Sequence, residues 1–192
     1  MTFNINAFKS NLRYGGARTN LFEMQLGFPP GLDNISEVGV ELNEFSRKLK
    51  FLCSVASIPS ASIGEVAIPF QGRDVYTAGN RTFEALSLNI INDEDFYIRK
   101  TFEGWIGAIN GHKGNTKNSG ANSSPSSYQV DGLLKQYSQY IEDNKYIPIR
   151  TYKFVNLFPT DISAIELSWD SSEIQRFSVT LRYDYWTIGP NE

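Results

Sequence analysis

The chain has 192 residues, a length typical of one domain, with 18 basic and 21 acidic side chains and a formal net charge of −3. This balance and the lack of a basic stripe argue against tight nucleic-acid binding, and one histidine with one cysteine cannot form a zinc shell. The N-terminus lacks a signal-peptide pattern, and no apolar run is long enough to span a bilayer. We therefore expect a soluble protein with no membrane insertion of its own.

The first third of the chain predicts an arm and two strands. Residues 1–19 are polar and predict a flexible N-terminal arm. Residues 20–26 alternate apolar and polar side chains and predict a first strand. An acidic stretch follows, and residues 49–55 predict a second strand. Cys53 has the parity of the apolar residues in that strand, so we expect a buried thiol there.

The next segment predicts an edge element followed by a regular strand. Residues 64–76 contain proline and glycine, which favour an edge strand or an extended arm over a central strand. Ala78-Gly79-Asn80 predicts a turn. Residues 82–91 predict a strand whose inward face carries Leu86, Leu88 and Ile90.

The sequence predicts one convincing helix after residue 91. Asn92 or Asp93 is suited to cap it, and Asp93-Glu94-Asp95 would place negative charge in its first turn. These acids could also hold a hard cation, although interaction with the helix dipole is the simpler interpretation. Gly111 predicts the end of the helix. The apolar stripe that we expect to pack on a sheet comprises Ile98, Phe102, Trp105, Ile106 and Ile109.

The C-terminal half predicts a loop and then strands. Residues 111–127 are rich in Gly, Asn, Ser and Lys and predict a mobile loop. Residues 133–141 fit a helix or a strand, but the Glu142-Asp143-Asn144-Lys145 turn favours a β-hairpin. Residues 147–186 predict strand, tight corner, strand, turn and strand. Within them, residues 165–170 and 176–185 alternate with period two, and each predicts a strand with one packed face.

Catalytic chemistry is not indicated. An acyl-transfer triad needs a base, and His112, the one histidine, lies in the glycine- and serine-rich loop, where it would be poorly positioned. Gly111-His112-Lys113-Gly114 lacks the ending of a phosphate-binding P-loop. We therefore predict no enzyme activity and no catalytic, cofactor or metal site.

Several ordered segments resemble the tail tube protein of contractile-tailed, T-even-like bacteriophages. Each segment alone is a weak signal, but their order and spacing match the family over residues 18–186. The matching segments are Ala78-Gly79-Asn80-Arg81-Thr82-Phe83, Asn92-Asp93-Glu94, Trp105, Asn156-Leu157-Phe158-Pro159-Thr160-Asp161-Ile162, Leu167-Ser168-Trp169-Asp170-Ser171, Glu173-Ile174-Gln175-Arg176-Phe177-Ser178-Val179-Thr180-Leu181 and Asp184-Tyr185-Trp186.

The resemblance implies a mainly β fold in which a rolled two-sheet β-sandwich or barrel is flanked by one α-helix. It implies that residues 1–192 form a single tail-tube domain that contributes strands to a shared hexameric barrel. Relative to short T-even members, residues 27–47 and 111–129 read as loop insertions. The implied function is that of a structural virion protein, a subunit of the inner tail tube whose stacked hexameric rings form the channel for DNA ejection.

The resemblance also implies roles for particular residues. Residues 73–81 correspond to an extended hairpin that reaches a neighbouring subunit or ring. The expected subunit contacts are Arg73, Asp74, Tyr76 and Arg81. Phe158 and Pro159 lie in a segment that matches the family's corner, where the chain turns between strands; a turn without partner contact is the alternative there.

The implied partners are other copies of the chain, the tail sheath protein, the baseplate and tail-terminator proteins, the tape-measure protein, and double-stranded DNA in transit without tight binding. The implied location is the phage tail, after synthesis and assembly in the host cytoplasm. Two other functions remain open: a baseplate tube-initiator protein of the same fold, or the tube protein of a related contractile injection or type VI secretion system. A nucleic-acid-binding module and an enzyme are less compatible with the residues.

Overall fold

The computed structural model describes residues 4–12, 15–29, 42–111, 114, 124–142 and 145–189. The fold is mainly β, as predicted, with nine strands and four helices in the described ranges. The strands are β1 (Phe22–Leu26), β2 (Cys53–Ala56), β3 (Ser62–Phe70), β4 (Arg73–Thr82), β5 (Leu86–Ile91), β6 (Val130–Glu142), β7 (Lys145–Ile162), β8 (Arg176–Arg182) and β9 (Tyr185–Gly189). The helices are α1 (Ile5–Asn11), α2 (Leu42–Leu52), α3 (Tyr97–Ile109) and α4 (Pro125–Tyr128).

Seven strands form one rolled, antiparallel arrangement in the order β1-β6-β7-β8-β5-β2, with β9 added beside β7. We call the part made by β1, β6, β9 and the beginning of β7 the first sheet. The second sheet consists of the end of β7 with β8, β5 and β2. Strands β3 and β4 form a separate two-stranded hairpin.

Strand β7 belongs to both sheets and bends between them. It pairs with β6 and β9 before the bend and with β8 from Phe158 onward. Asn156 has a φ of 60°, which is left-handed backbone that asparagine tolerates better than most residues. A register shift follows between Pro159 and Asp161. Bends and bulges of this kind let one strand pass between two packed sheets.

The core lies between the two sheets and is closed by α2 and α3. Phe45 of α2 meets Phe102 of α3 edge to face, with ring centroids 5.7 Å apart, and Phe102 stacks on Trp105 at 6.1 Å. The Trp105 indole donates a hydrogen bond to the Tyr128 carbonyl at 2.8 Å, so its polar atom is satisfied inside the core. The side chains with at most 2% of their surface exposed are Met24, Leu26, Phe45, Leu49, Leu86, Leu88, Ile90, Phe102, Trp105, Phe154, Leu157, Phe177, Val179 and Leu181.

The strand predicted over residues 49–55 is wrong in its first part. Helix α2 extends to Leu52, and the strand begins only at Cys53. Phe45 and Leu49 are fully buried with helical spacing, whereas Phe51 is 73% exposed. The apolar residues of this segment therefore follow helical periodicity and not alternation. The polar side chains of the segment contact other elements. The thiol of Cys53 is buried as predicted, and burial raises its pKa to about 12.

The predicted helix is confirmed in its core-facing stripe but not at its start. Helix α3 begins at Tyr97 and buries Ile98, Phe102 and Trp105, as expected, while Ile106 and Ile109 of the predicted stripe are only half-buried. The residue before it, Phe96, has a φ of 54°, and no side chain caps the helix. Asp93 instead accepts a hydrogen bond from the backbone of Asp95, before the helix begins.

Two predicted local features are absent. Residues 165–170 form no strand, and their large apolar side chains Leu167 and Trp169 are exposed. Ala78-Gly79-Asn80 forms no turn, because β4 continues through it to Thr82. Alternation of apolar and polar residues was not enough to make residues 165–170 a strand, and a glycine was not enough to make residues 78–80 a turn. Both outcomes depend on which strand, if any, lies beside the segment.

The hairpin predicted around residues 142–145 is confirmed, since β6 and β7 pair through Glu142 and Lys145. Helix α1 lies within the predicted N-terminal arm, where we expected irregular backbone. Residues 125–128 of the predicted loop 111–129 are helical, and most of the rest of that loop, including His112, lies outside the described residues. Within the described ranges, no helix is long and apolar enough to cross a membrane.

Candidate subunit interface

The β3–β4 hairpin carries the four predicted contact residues. Its two-residue turn, Gln71-Gly72, has φ values of 46° and 83°. Positive φ at both positions matches the right-handed twist of the flanking strands, so the turn closes a tight hairpin. Near its base the strands approach closely at Gly79, where an added Cβ would lie 3.0 Å from the carbonyl oxygen of Gly64.

The hairpin is exposed on both faces. Cross-strand partners share a face, so Ile68 lies with Val75 and Phe70 with Arg73. The opposite face pairs Ala67 with Tyr76, and Pro69 with Asp74. A two-stranded ribbon is marginally stable alone in water, and a contiguous apolar surface of this kind marks a site of protein contact. The exposed large apolar side chains are Ile63, Val66, Ile68, Phe70, Val75 and Tyr76.

The four predicted contact residues therefore do not form one cluster. Arg73 lies near the tip on one face, while Asp74 and Tyr76 lie on the other. Arg81 lies near the base, opposite Ile63 and beyond a register shift. All four are exposed. Their distribution suits a ribbon that is contacted on both sides.

The base of the hairpin is tied to the first sheet by Trp186 of β9. Its indole Nε1 donates a hydrogen bond to the Ser60 carbonyl at 3.2 Å. Ser60 in turn donates from its hydroxyl to Glu84 at 2.9 Å, which joins the two legs below the ribbon. Trp186 also packs edge to face on Tyr152 at 5.7 Å. No local sequence pattern predicts this anchor, since 126 residues separate its two partners.

The predicted corner lies in strand β7, where this strand passes from the first sheet to the second. The side chain of Asn156 donates to Oδ2 of Asp184 at 2.6 Å, and its backbone N–H donates to Oδ1 of Asp131 at 3.4 Å. Beyond the bend, Pro159 is buried, and Phe158 packs edge to face against Tyr128 at 5.8 Å. Both predicted corner residues thus pack against their own chain.

The acidic residues before α3 are held by a lysine. Nζ of Lys48 lies 2.9 Å from Oδ2 of Asp93 and 3.3 Å from Oδ2 of Asp95. The hydrogen bond from the Asp95 backbone, followed by that from Lys48, holds the pKa of Asp93 below its ordinary value. The described residues contain no group of three or more metal-ligating side chains that could hold an ion. The acids therefore connect α2 to α3.

A second charged group joins α2 to the first sheet. Glu23 of β1 is 8% exposed, and it accepts hydrogen bonds from Gln25 and from the Tyr137 hydroxyl, the latter at 2.9 Å. Nζ of Lys50 lies 2.9 Å from its other oxygen. Burial acts to raise the pKa of Glu23, but the three hydrogen-bond donors outweigh it and hold the pKa below its ordinary value.

A rolled two-sheet β body with an exposed apolar hairpin is typical of proteins that assemble through their surfaces. Comparison with known proteins identifies which kind. The family model described as phage tail tube protein matches residues 17–189. The chain is 30% identical over 148 residues to the tail tube protein gp19 of Enterobacteria phage T4, covering 77% of this chain and 86% of that protein. It is 24% identical over 182 residues to the tail tube protein of Serratia phage KSP90, covering 93% of each.

The chain belongs to the phage tail tube protein family. It is a structural tail tube subunit and not an enzyme, and proteins of this family are components of the virion. Solved structures show the same fold at lower identity. A chain of the anti-feeding prophage baseplate matches with a TM-score of 0.58 and 11% identity, covering 90% of this chain and 94% of that one. A chain of the sheath–tube complex of an extracellular contractile injection system matches with a TM-score of 0.55 and 14% identity, covering 94% and 96%.

Proposed function

We propose that this tail tube subunit closes hexameric rings that stack into the inner tube of a contractile phage tail, and that the tube is the channel for DNA ejection. The observation that carries the proposal is the β3–β4 hairpin, which exposes apolar side chains on both faces and has no core of its own. In a ring, a neighbouring copy would cover each hairpin. The baseplate structure with the same fold is six-fold symmetrised, which supports six copies here.

The four hairpin residues are the proposed subunit contacts. Tyr76 supplies a large exposed ring, and aromatic side chains are typical anchors of protein interfaces. Arg73, Asp74 and Arg81 supply charges of both signs, which favour one orientation of the neighbouring copy. Phe158 and Pro159 of the corner would act indirectly, since they fix the angle between the two sheets.

The proposed partners follow from the assembly. One solved structure with this fold comes from a sheath–tube complex and another from a sheath/tube terminator. A sheath protein and a terminator protein are therefore proposed partners of this chain. We propose a baseplate protein at one end and a tape-measure protein inside during assembly. The tube would be built in the host cytoplasm and end in the virion.

A tube-initiating role in the baseplate is the second candidate, because the anti-feeding prophage likeness is a baseplate chain. The two roles predict different assemblies. Tube subunits form rings that stack one on another, whereas initiator subunits form a single ring to which one end of the tube attaches. A third possibility, the tube of an injection or type VI secretion system, predicts the same tube with protein cargo.

Negative-stain microscopy of the purified full-length chain tests the proposal directly. Long hollow tubes or six-fold rings that stack are the expected result. A protein that stays monomeric at high concentration would contradict self-assembly. Single rings that never stack would support the initiator role instead.

A further inference from the structure

The segment between β7 and β8 exposes three large apolar side chains. Leu167, Trp169 and Ile174 are 80%, 105% and 71% exposed. Tryptophan is strongly buried on average in folded proteins, so an indole held fully in water is unusual. Apolar side chains gathered on one exposed loop mark a site of protein contact. We call residues 164–174 the Trp169 loop.

Both legs of the Trp169 loop are fixed to the body of the protein. On the first leg, the Arg99 guanidinium donates a hydrogen bond to the Ser163 carbonyl at 3.1 Å. On the second leg, the backbone N–H of Asn92 donates to the Gln175 carbonyl at 2.9 Å, and the Asn92 side-chain amide donates to the Gln175 side chain at 2.9 Å. The protein therefore presents Trp169 on an anchored loop, which lowers the entropy cost of a contact there.

The Trp169 loop and the β3–β4 hairpin leave opposite ends of the second sheet. At one end Leu86 pairs with Leu181, close to the point where the chain returns from the hairpin. At the other end Ile91 pairs with Arg176, where the chain returns from the Trp169 loop. The loop is therefore a contact site separate from the hairpin.

An apolar cavity lies beside the turn between β6 and β7, at the far end of β7 from the Trp169 loop. Its volume is about 380 Å³. Pockets that hold a ligand-sized group are of this size, roughly 300–1,000 Å³. We call it the tip cavity, and its lining includes Ala17, Ser138, Gln139, Tyr140, Ile147 and Ile149.

The two-sheet body separates the tip cavity from the Trp169 loop of the same copy. Ile149 at the cavity and Ile162 at the end of β7 are separated by roughly 40 Å of strand, at about 3.3 Å per residue. Strand β7 leaves the first sheet and crosses the second between these two points. A contact between the loop and the cavity therefore joins two different copies of the chain.

The two sites have opposite charge. The Trp169 loop carries three acidic side chains and no basic one, and all three acids are exposed: Glu166, Asp170 and Glu173. In the segments around the tip cavity, residues 15–18 and 135–150, basic side chains outnumber acidic ones. They are Arg18, Lys135, Lys145 and Arg150 against Glu142 and Asp143. Opposite charges favour one partner and one orientation when two surfaces meet.

We propose that Trp169 of one copy inserts into the tip cavity of a copy in the adjacent ring, and that this contact holds stacked rings together; the inference rests on the proposed function. The indole ring fills the apolar cavity, and the side-chain oxygen of Gln139 accepts its N–H. Two different patches of one chain make a head-to-tail contact, which repeats as a filament when it does not close into a ring. The hairpin closes each ring, and the Trp169 contact joins one ring to the next.

Cross-linking of assembled protein tests which copies meet at this contact. Ser168→Cys beside Trp169 is combined with Gln139→Cys at the tip cavity, and the tubes are treated with a short bismaleimide. The native Cys53 is buried and has a raised pKa of about 12, so it contributes a low background. The controls are each single variant and the pair of Ser168→Cys with Lys100→Cys, whose second thiol lies on the exposed side of α3.

A denaturing gel of the cross-linked tubes should show a ladder of products that runs beyond six copies. Such a ladder is expected because each copy is joined to one copy in the ring above and to one in the ring below. The controls should give only traces of product. A ladder that ends at six copies would overturn the proposal by placing the contact within one ring. Intact tubes without cross-linked product, or with as much product from the control pair, would overturn it as well.

Variants of Trp169 provide a second test that needs no cysteine. Trp169→Ser should leave six-fold rings in negative-stain images but raise the protein concentration needed for tubes by about tenfold or more. Trp169→Phe keeps an apolar ring and should have a smaller effect. Because Trp169 is fully exposed in the single copy, neither change should shift the urea midpoint of unassembled protein.

Tubes formed by Trp169→Ser at the wild-type concentration would overturn the proposal. Loss of rings together with tubes would also overturn it, since the loop would then act within a ring. In both cases wild-type tubes leave the proposed function standing. A wild-type chain that forms neither rings nor tubes would contradict that function itself.

Discussion

The side-chain amide of Asn156 donates a hydrogen bond to Oδ2 of Asp184 at 2.6 Å, where strand β7 passes from the first sheet to the second. Asn156 holds a φ of 60°, and the backbone N–H of Asp184 donates to the Val155 carbonyl at 3.1 Å. The bend is therefore clamped to the segment between β8 and β9. The angle between the two sheets depends on this clamp.

Replacing Asn156 should weaken the fold. Asn156→Ala loses the hydrogen bond and places an alanine in left-handed backbone, so we expect a loss of about 1–3 kcal/mol in the free energy of unfolding. Asn156→Gly loses the same hydrogen bond but adopts positive φ readily, and it should be less harmful. Urea unfolding of unassembled protein measures both. An alanine variant as stable as wild type would show that the clamp contributes nothing.

Substitutions in the hairpin should impair assembly while leaving the fold intact. Phe70 and Tyr76 are 59% and 62% exposed and lie on opposite faces of the ribbon. We expect Phe70→Ser and Tyr76→Ser each to cost about 1–3 kcal/mol per contact in assembly, which raises the concentration needed for tubes. Sedimentation of tubes against concentration measures this, with Lys100→Ala as the exposed control. Unchanged assembly of both serine variants would remove the hairpin from the interface.

The hydrogen bond from Trp186 should control the hairpin more than it stabilises the core, against which the Trp186 ring packs. Trp186→Phe can still pack on Tyr152 but leaves the Ser60 carbonyl without its 3.2 Å donor. We expect faster hydrogen exchange in residues 62–82 and poorer assembly, with a loss of only about 1 kcal/mol in unfolding free energy. Glu84→Gln weakens the neighbouring bond to Ser60 and serves as the comparison. Unchanged exchange throughout the hairpin would contradict this positioning role.

The contact between Glu23, Lys50 and Tyr137 should make stability depend on pH at the acid end. Because the pKa of Glu23 in the folded chain lies below its ordinary value of 4.5, its contribution is present above that value. The contribution is lost as the pH falls further through the folded-state pKa. Glu23→Gln should therefore show a smaller loss of stability than wild type between neutral pH and pH values below 4.5. Parallel acid profiles of the two proteins would contradict the expectation.

DNA should bind the tube weakly. The chain has 18 basic and 21 acidic side chains and a net charge of −3, so we expect no sub-micromolar binding of duplex DNA at physiological salt in a gel shift. Ser178→Lys adds a cation to the outer side of β8 in every copy and should produce salt-sensitive binding, with a steeper dependence of log affinity on log salt. Lys100→Arg on α3 is the control. Tight, salt-sensitive binding by the wild-type protein would show that the charge pattern is not what sets affinity.

The sequence predicted the elements whose partners lie within the chain. Strands β5 and β8 alternate because each buries one face, so Leu88 and Ile90 were placed correctly from parity alone. Helix α3 showed its stripe for the same reason. Residues 49–52 also alternate, but Phe45 and Leu49 pack at helical spacing from helix α2. Short apolar runs of this kind fit both periods.

The interface was only partly predictable. The family resemblance predicted four subunit contacts, Arg73, Asp74, Tyr76 and Arg81. The strand register then showed that these residues lie on two faces of the ribbon. Leu167 and Trp169 alternate like strand residues but are exposed. Alternation alone does not reveal whether the surface that would cover such residues belongs to the same chain. The clamp at Asn156 and the anchor at Trp186 join residues far apart in sequence, and no local pattern encodes them.

Electron cryomicroscopy of assemblies of the purified chain, at a resolution that traces the backbone, would show directly how the subunits pack in the tube. We predict stacked six-fold rings around a hollow channel, with each β3–β4 hairpin covered by a neighbouring copy. A different symmetry, or hairpins that remain uncovered in solvent, would contradict it.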